Sequence, residues 1–413
     1  MPSRGCRSCG SPLEGILDLG AQPPAGVFPK RDEPAPDLRP LRLAICPACS
    51  LVQLGDETVR EAELAAAPLP TSSSTMAAHA RALVDDLGGL GASRVVSLAS
   101  HGGHLWPYLR ERGIDAVVVE AMPQWRALLR DEGAVVVDRD PAVPGWAEEV
   151  GTGWADLVTD HYLLSHVDRP DDLIGEIARC LRPGGILVME FDHLLPTVHG
   201  LQFDAIRHGH HTYLTLAWIV PALLRHGLVP LRAEEQQVYG GALRLYAVRG
   251  RAETEDSVDA VVRRELEAGI DRVDGFGAFA TGVDGITRRT VRFLEDCRAA
   301  GRRVLGYGAP ARAVTFLAAC GIGPAELPFT VDRSEAKHGR VIPGAGIPIE
   351  PLDALEGAVP DDLLILTWDI APEVRRQLAA LEARGMRSLV AVPELSIVTD
   401  HGLVPLGGGS GVG

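Results

Sequence analysis

The sequence predicts an α/β chain in three parts: a small N-terminal zinc-binding domain, a central doubly wound Rossmann-like domain and a second, C-terminal Rossmann-like domain. Three observations carry this. Two Cys-x-x-Cys pairs lie near the start. Five short β-branched runs alternate with helical patterns between 94 and 192. Four more such runs follow between 302 and 393.

The chain has 413 residues, more than one ordinary core holds. With 46% hydrophobic and 23% charged residues it reads as globular. A formal net charge of -15 argues against a broad nucleic-acid surface, which needs clustered Lys and Arg. No apolar run approaches the length of a membrane helix. The start, MPSRGCRSCG, lacks the apolar stretch of a signal peptide, so a cytoplasmic location is the default expectation. The boundaries expected are 1–72 for the zinc-binding domain, 73–249 for the central domain and 250–400 for the C-terminal domain. A Gly-rich tail, 401–413, reads as disordered.

Cys6-x-x-Cys9 and Cys46-x-x-Cys49 are separated by 36 residues. A Cys-x-x-Cys turn aims two sulfurs at one ion, and two such turns close a tetrahedral thiolate shell. A closed shell leaves no open position, so one structural zinc per chain is expected. A redox dithiol would need a βαβ context of its own, which is missing here. The other cysteines, Cys180, Cys297 and Cys320, read as ordinary core or surface residues.

In the central part, RVVSLAS (94–100), AVVVEA (116–121), AVVVD (134–138), ADLVTDHY (155–162) and ILVMEFD (186–192) are nearly continuous apolar runs. Parallel strands buried on both faces look like this. The intervening DDLIGEIARCL (171–181) places Leu173, Ile174, Ile177, Ala178 and Leu181 on one helical stripe. Two further runs, LVPLRAEEQQVY and GALRLYAVR, meet at Gly240-Gly241 and are expected to pair as a hairpin.

The cofactor of such a sheet sits at the carboxyl ends of its first strands. Strand one runs into Ser100-His101-Gly102-Gly103. Strand two ends at Glu120, about 20 residues on, the spacing of an acid that accepts ribose hydroxyls. Asp138 ends strand three and is a candidate for the adenine; Asp160 and His161 end strand four. The stretch LLSHVDRPDDLIGEIARCLRPGGILVMEF that follows is similar to what many class I methyltransferases carry after strand four, and its Pro-Gly-Gly turn separates helix from strand five. The resemblance implies S-adenosylmethionine as cofactor. The first loop departs from the usual acidic-x-Gly-x-x-x-Gly: Ser97 and Ala99 stand at the acidic and first Gly positions.

Taken together, the three parts resemble the zinc-containing sugar C-methyltransferases of antibiotic deoxysugar pathways over about residues 5–395. The resemblance rests on LDLGAQPPAGVF (17–28), CPACSLVQL (46–54), GYGAPAR (306–312), VDRSEAKHGRVIPGAGIPI (331–349) and TWD (367–369). It implies methylation of a carbon in a nucleotide-linked 4-keto sugar. The ketone acidifies a neighbouring C–H, a base removes the proton, and the enolate attacks the methyl group. A His suits that task at neutral pH, and a donor at the keto oxygen stabilises the enolate. The family segment Tyr-His-Glu-His plus an aromatic corresponds to Arg207-His208-Gly209-His210 and Tyr213. The resemblance makes His210 the base and His166 a second active-site His. It leaves Arg207 where the family has Tyr, so either Arg207 stabilises the enolate or the substrate has diverged. His208 and His211 read as plain polar-loop residues, and 65–76 lacks the family's N-terminal Tyr.

In the C-terminal part, GYGAPAR joins a strand to a helix, a turn that exposes backbone N–H groups to phosphate. With the resemblance, Tyr307, Gly308, Arg312, Asp332 and Lys337 become candidates for the nucleotide part of the substrate; a tight packing turn is the alternative. The expected partners are a small-molecule substrate, neither nucleic acid nor membrane, in a monomer or weak dimer. Two rival functions stay open: a methyltransferase of another natural-product scaffold, at carbon or oxygen, and a relative that binds the cofactor without methylating.

Overall fold

The computed structural model describes residues 4–56, 74–98 and 105–406. Three sheets organise them. An antiparallel sheet runs in the order β1 (Glu14–Gln22), β2 (Arg39–Ile45), β3 (Val52–Leu54) and β9 (Thr212–Tyr213). Its last strand comes from the central domain, so the N-terminal module is stitched to the chain about 160 residues downstream.

The central sheet has seven strands in the order β10 (Leu228–Gln236), β11 (Ala242–Arg249), β8 (Leu181–Asp192), β7 (Ala155–His161), β4 (Val95–Leu98), β5 (Ala116–Val119) and β6 (Val135–Val137). Neighbours among β4 to β8 pair in parallel. The expected hairpin is present, but β11 slots between β8 and β10, antiparallel to both. Gly240 and Gly241 make its turn with φ +88° and +124°, and a Cβ at Gly241 would lie 2.7 Å from Pro196. The order reverses at β4, which opens the ligand crevice at the carboxyl ends of β4 and β7.

The helix Pro170–Cys180 follows the apolar stripe read from sequence: Leu173, Ile174, Ile177 and Ala178 are buried. Pro170 opens it, Asp171 and Asp172 face its positive end and Arg179 its negative end. Strand five begins at Leu181, earlier than expected, because the Pro-Gly-Gly turn is taken up in β8 at a register shift against β7. Gly185 is required there: a Cβ would come within 2.9 Å of the Arg182 carbonyl and 3.0 Å of the Ala155 carbonyl.

The C-terminal sheet runs β14 (Ile349–Glu350), β13 (Thr330–Val331), β12 (Val304–Tyr307), β15 (Asp362–Ile365), β16 (Arg387–Val390), β17 (Ser396–Thr399) and β18 (Gly402–Pro405). The first five pair in parallel and the last two antiparallel. Two expectations are corrected. Part of the stretch read as a disordered tail is ordered, since Gly402–Pro405 pairs with β17; residues 407–413 lie outside the described residues. The helix Asp256–Ala268, grouped by sequence with the C-terminal domain, packs on the central one. Its Val258 and Val261 share a core with Trp218 and Leu223. Its buried Glu265 accepts hydrogen bonds from the Leu216 and Ala217 amides, the first turn of the helix Leu216–Arg225, and from His193.

One core ties the parts together. Phe28, Leu41, Leu43 and Ile45 of the N-terminal module pack with Phe203 and Ile206 of the central domain and Leu317 and Ile342 of the C-terminal one. Each such side chain contributes about 1.5–3 kcal/mol, so segment 203–213 is anchored from three sides. No described helix is long and apolar enough to cross a membrane.

Candidate active site and zinc centre

The two Cys-x-x-Cys turns face each other. Cys6 Sγ lies 3.6 Å from Cys49 Sγ and Cys9 Sγ lies 3.5 Å from Cys46 Sγ, with all four within 4.8 Å. Thiolates on one tetrahedral zinc, with bonds of about 2.3 Å, stand about 3.8 Å apart, whereas a disulfide is closed at about 2.05 Å. Each turn closes through an amide bonded to the first cysteine carbonyl, Gly10 to Cys6 and Ser50 to Cys46, with both closing residues at positive φ. The donor set and spacing fit one structural zinc.

This module reaches the catalytic candidates directly. Buried Arg7 pairs with Asp168 and donates to the Asp56 carbonyl at 3.3 Å, while its amide donates to Gln53 Oε1 at 2.9 Å. The Leu54 amide donates to the His211 carbonyl at 3.0 Å, and the His211 amide to the Ser165 carbonyl at 2.7 Å. Segments 164–168 and 207–213 are therefore fastened to the metal module. Burial and then Arg7 and Arg4 push the His211 imidazole down to about 3, and burial also lowers His208, which faces the Arg39 carbonyl at 3.3 Å. Both read as scaffold.

The catalytic candidates converge. His166 Nδ1 lies 2.8 Å from the Gly209 carbonyl, so Nδ1 carries the proton and Nε2 the lone pair. Its ring meets His210 edge-on, with centroids 4.3 Å apart. Arg207 Nη2 lies 2.5 Å from His210 Nε2; a guanidinium only donates, so that nitrogen accepts. The Arg207 amide donates to the Tyr213 hydroxyl at 3.1 Å. Burial draws Arg207 below its usual range, against the opposing pull of Asp192.

Around this trio stands a buried polar cluster. Trp368 Nε1 donates to Asp204 Oδ2 at 2.7 Å, and Arg312 lies 5.1 Å from the Trp368 ring centre and donates to the Tyr239 carbonyl. Burial opposes the Arg312 charge, but Asp204, Asp369 and Asp192 outweigh it and raise its pKa. Asp192 and Asp204 are each raised by burial, with Arg312 working against it.

At the cofactor edge, Glu120 follows β5. Its Oε1 accepts from the Met122 amide at 2.8 Å; its buried Oε2 has no hydrogen-bond partner among the described residues. Burial pushes it up to about 7. A carboxylate with one orphaned oxygen fits an adenosyl ribose. Asp160 is also pushed up to about 7 by burial, and its Oδ1 accepts from the Leu163 amide at 2.9 Å, so it shapes the turn after β7. Two candidates are corrected: exposed Asp138 is taken by Arg130 and Arg126, and His161 turns toward Glu190 at 3.3 Å. Ser100, Gly102 and Gly103 lie outside the described residues, as does most of 65–76.

Comparison with known proteins follows the same division. Residues 6–64 match the family described as "Putative zinc binding domain", 70–232 "Methyltransferase domain" and 237–393 "C-methyltransferase C-terminal domain". The chain is a methyltransferase. It resembles the three-domain zinc-containing sugar C-methyltransferases. The C-methyltransferase NovU of Streptomyces niveus is 27% identical over 412 residues, covering 95% of this chain and 96% of that protein. Solved structures that share less include the 1,6-didemethyltoxoflavin N1-methyltransferase of Burkholderia thailandensis, 17% identical, covering 49% of this chain and 96% of that one (TM-score 0.33). Another is a methyltransferase of Mesorhizobium loti, 17% identical, covering 38% and 91% (TM-score 0.31).

In this methyltransferase the C-terminal candidates divide. Asp332 Oδ2 accepts from the Ala309 amide at 2.6 Å, and Lys337 Nζ lies 2.9 Å from the Ala309 carbonyl and 3.5 Å from Asp332 Oδ2. The Gly308 turn, φ +93°, is thereby closed on its own neighbours. The Tyr307 hydroxyl donates to Gln377 at 3.2 Å. Arg312 leaves this group and joins the catalytic cluster. Sequence reading passed over Asp192, Asp204, Trp368, His79 and Glu190. The signal for two of them was present: Glu190 and Asp192 are two residues apart on a strand, hence on one face at its carboxyl end.

Proposed function

We propose that the methyltransferase moves a methyl group from S-adenosylmethionine to a carbon of a nucleotide-linked 4-keto sugar, through an enolate formed by a histidine. The observation that supports this best is the joined His166, His210 and Arg207 group, whose imidazoles are buried and whose Arg207 is electrostatically coupled to Arg312 of the C-terminal domain. S-adenosylmethionine supplies an electrophilic methyl group. The imidazoles take the proton from the carbon beside the ketone, and Arg207 donates to the oxygen that gains charge. Water is kept out because the group is buried. For His210 to act as base, its Nε2 must exchange the Arg207 contact for substrate, with the guanidinium passing to the keto oxygen. Arg312 then faces the nucleotide part. A cytoplasmic setting, where sugar nucleotides are made and used, accords with this reading.

The 2.5 Å contact also favours a second reading: with Nε2 committed to Arg207, the acceptor is another scaffold whose nucleophile needs no His210 base. Incubation with methyl-labelled S-adenosylmethionine and a panel of nucleotide-linked 4-keto sugars in deuterated water separates the two. Label on carbon, with solvent exchange lost in His210→Ala, supports the first. Absence of transfer and exchange across the panel refutes it.

A further inference from the structure

Three side chains outside that trio meet at the carboxyl ends of β7 and β8. His161 is the last residue of β7, and the parallel register sets it beside Glu190 of β8. His79 comes from the helix Ser74–Gly89. His79 Nε2 lies 2.5 Å and His161 Nε2 3.3 Å from the same oxygen, Glu190 Oε1, and the donor atoms of all three are within 4.8 Å of one another. His161 and Glu190 are buried. We propose that His79, His161 and Glu190 form a second metal site, which takes one divalent transition ion on two imidazole nitrogens and one carboxylate oxygen.

Donor atoms bonded at about 2.0–2.2 Å to one tetrahedral ion lie about 3.3–3.6 Å apart; His161 already stands at that separation from Glu190, and His79, now hydrogen-bonded to the same oxygen, draws back by about 1 Å to admit the ion. Imidazole with carboxylate is the donor chemistry of zinc, cobalt, nickel and ferrous iron, while magnesium and calcium prefer oxygen alone. The surroundings fix the ligands as outer-shell partners do. Arg244 Nε holds Glu190 Oε2 at 3.0 Å and leaves Oε1 to the imidazoles. The Tyr162 ring packs edge-on against His161 at 4.6 Å and fixes its plane. Arg244 also pairs with Asp86, so the two carboxylates and the guanidinium sum to one negative charge, which an arriving dication offsets. Three protein ligands leave a coordination position open, unlike the closed thiolate shell at the N-terminus. The site lies at the carboxyl-end region of β7 and β8, and the open position suits an oxygen of water or a small ligand.

Cobalt distinguishes the two sites. The full chain carrying one zinc per chain is dialysed against Co2+ and its metals are counted by atomic emission. One cobalt per chain in addition to the zinc is expected, with the weak visible bands of nitrogen and oxygen ligands and no thiolate charge-transfer band. His79→Asn and His161→Asn should each lose the cobalt and keep the zinc, the retained zinc showing that the variant is folded. A wild-type chain that takes up no cobalt beside its zinc overturns the proposal. So does bound cobalt with a thiolate spectrum, or cobalt that survives both substitutions.

Discussion

Glu120 carries the most quantitative consequence of the cofactor edge. Burial raises it from an ordinary 4.5 to about 7, and one of its oxygens has no hydrogen-bond partner among the described residues. In the unfolded chain the carboxyl ionises near its ordinary value, so the folded form holds the proton more tightly. The stability this gives is complete below 4.5 and is lost as pH rises through about 7. A shift of this size corresponds to about 3 kcal/mol at pH 8. Glu120→Gln keeps an oxygen for the Met122 amide and removes the ionisation. Its new amide group, itself buried, costs about 1–2 kcal/mol unless it finds a partner. The cofactor-free variant should therefore match or exceed the wild type by about 1–3 kcal/mol at pH 8, and lose that advantage at pH 5. Asp160 shifts in the same direction in both proteins, so the difference between them isolates Glu120. Binding should move the opposite way, because a charge-assisted bond to ribose contributes about 1.5–3 kcal/mol: S-adenosylhomocysteine should bind Glu120→Gln roughly 10- to 100-fold more weakly at pH 8. Urea melts at the two pH values and calorimetric titration measure both. Parallel stability profiles with unchanged affinity would refute the placement of Glu120 at the cofactor.

Zinc removal should act on catalysis before it acts on the fold as a whole: β3 holds β9 and Arg7 holds Asp168, so a thiol-competent chelator should abolish turnover while far-ultraviolet circular dichroism retains most of its helix signal. His210→Ala should lower kcat by about 100- to 10,000-fold if it is the base, with cofactor affinity unchanged by calorimetry. His166→Asn, which loses the Nε2 lone pair but can still donate to Gly209, tests the alternative that His166 takes the proton; a larger kcat loss there than in His210→Ala reverses the assignment. Arg312→Ala removes a cation shared by Asp192 and Asp204 and should cost about 3–5 kcal/mol in a urea melt, less toward acidic pH as those carboxyls, raised by burial, take up protons.

The zinc module and the central sheet are legible because their signals are local. Cysteine spacing fixes which sulfurs meet, and apolar runs with helical stripes fix strand and helix. The substrate cluster is not legible in that way. Asp192, Asp204, Arg312 and Trp368 become neighbours only when two domains dock, and nothing in the spacing of 204 to 368 announces it. Arg312 shows the difference well. Its place in a Gly-rich turn suggests phosphate, yet the helix it opens turns its side chain toward the central domain. Asp138 fails for the opposite reason. It ends the right strand, but Arg130 of the preceding helix reaches it first.

Arg207 and Gly209, where the segment differs from the family it resembles, accord with the charge balance within that cluster. An arginine at 207 brings a permanent cation into a partly buried place, and desolvation opposes its charge. Asp192 and Asp204 face it and Arg312, so the added charge is met by carboxylates on two other elements rather than by solvent. The absence of a carboxylate at Gly209 is consistent with the same arrangement. Gly209 has φ +92°, a conformation that a Glu side chain would strain, and its carbonyl is the group that fixes the His166 tautomer. On that resemblance, we propose that this segment holds its two imidazoles with a different set of polar partners from the family's. What has been rebuilt is the electrostatics around the histidines, and that is where a change of substrate would be written.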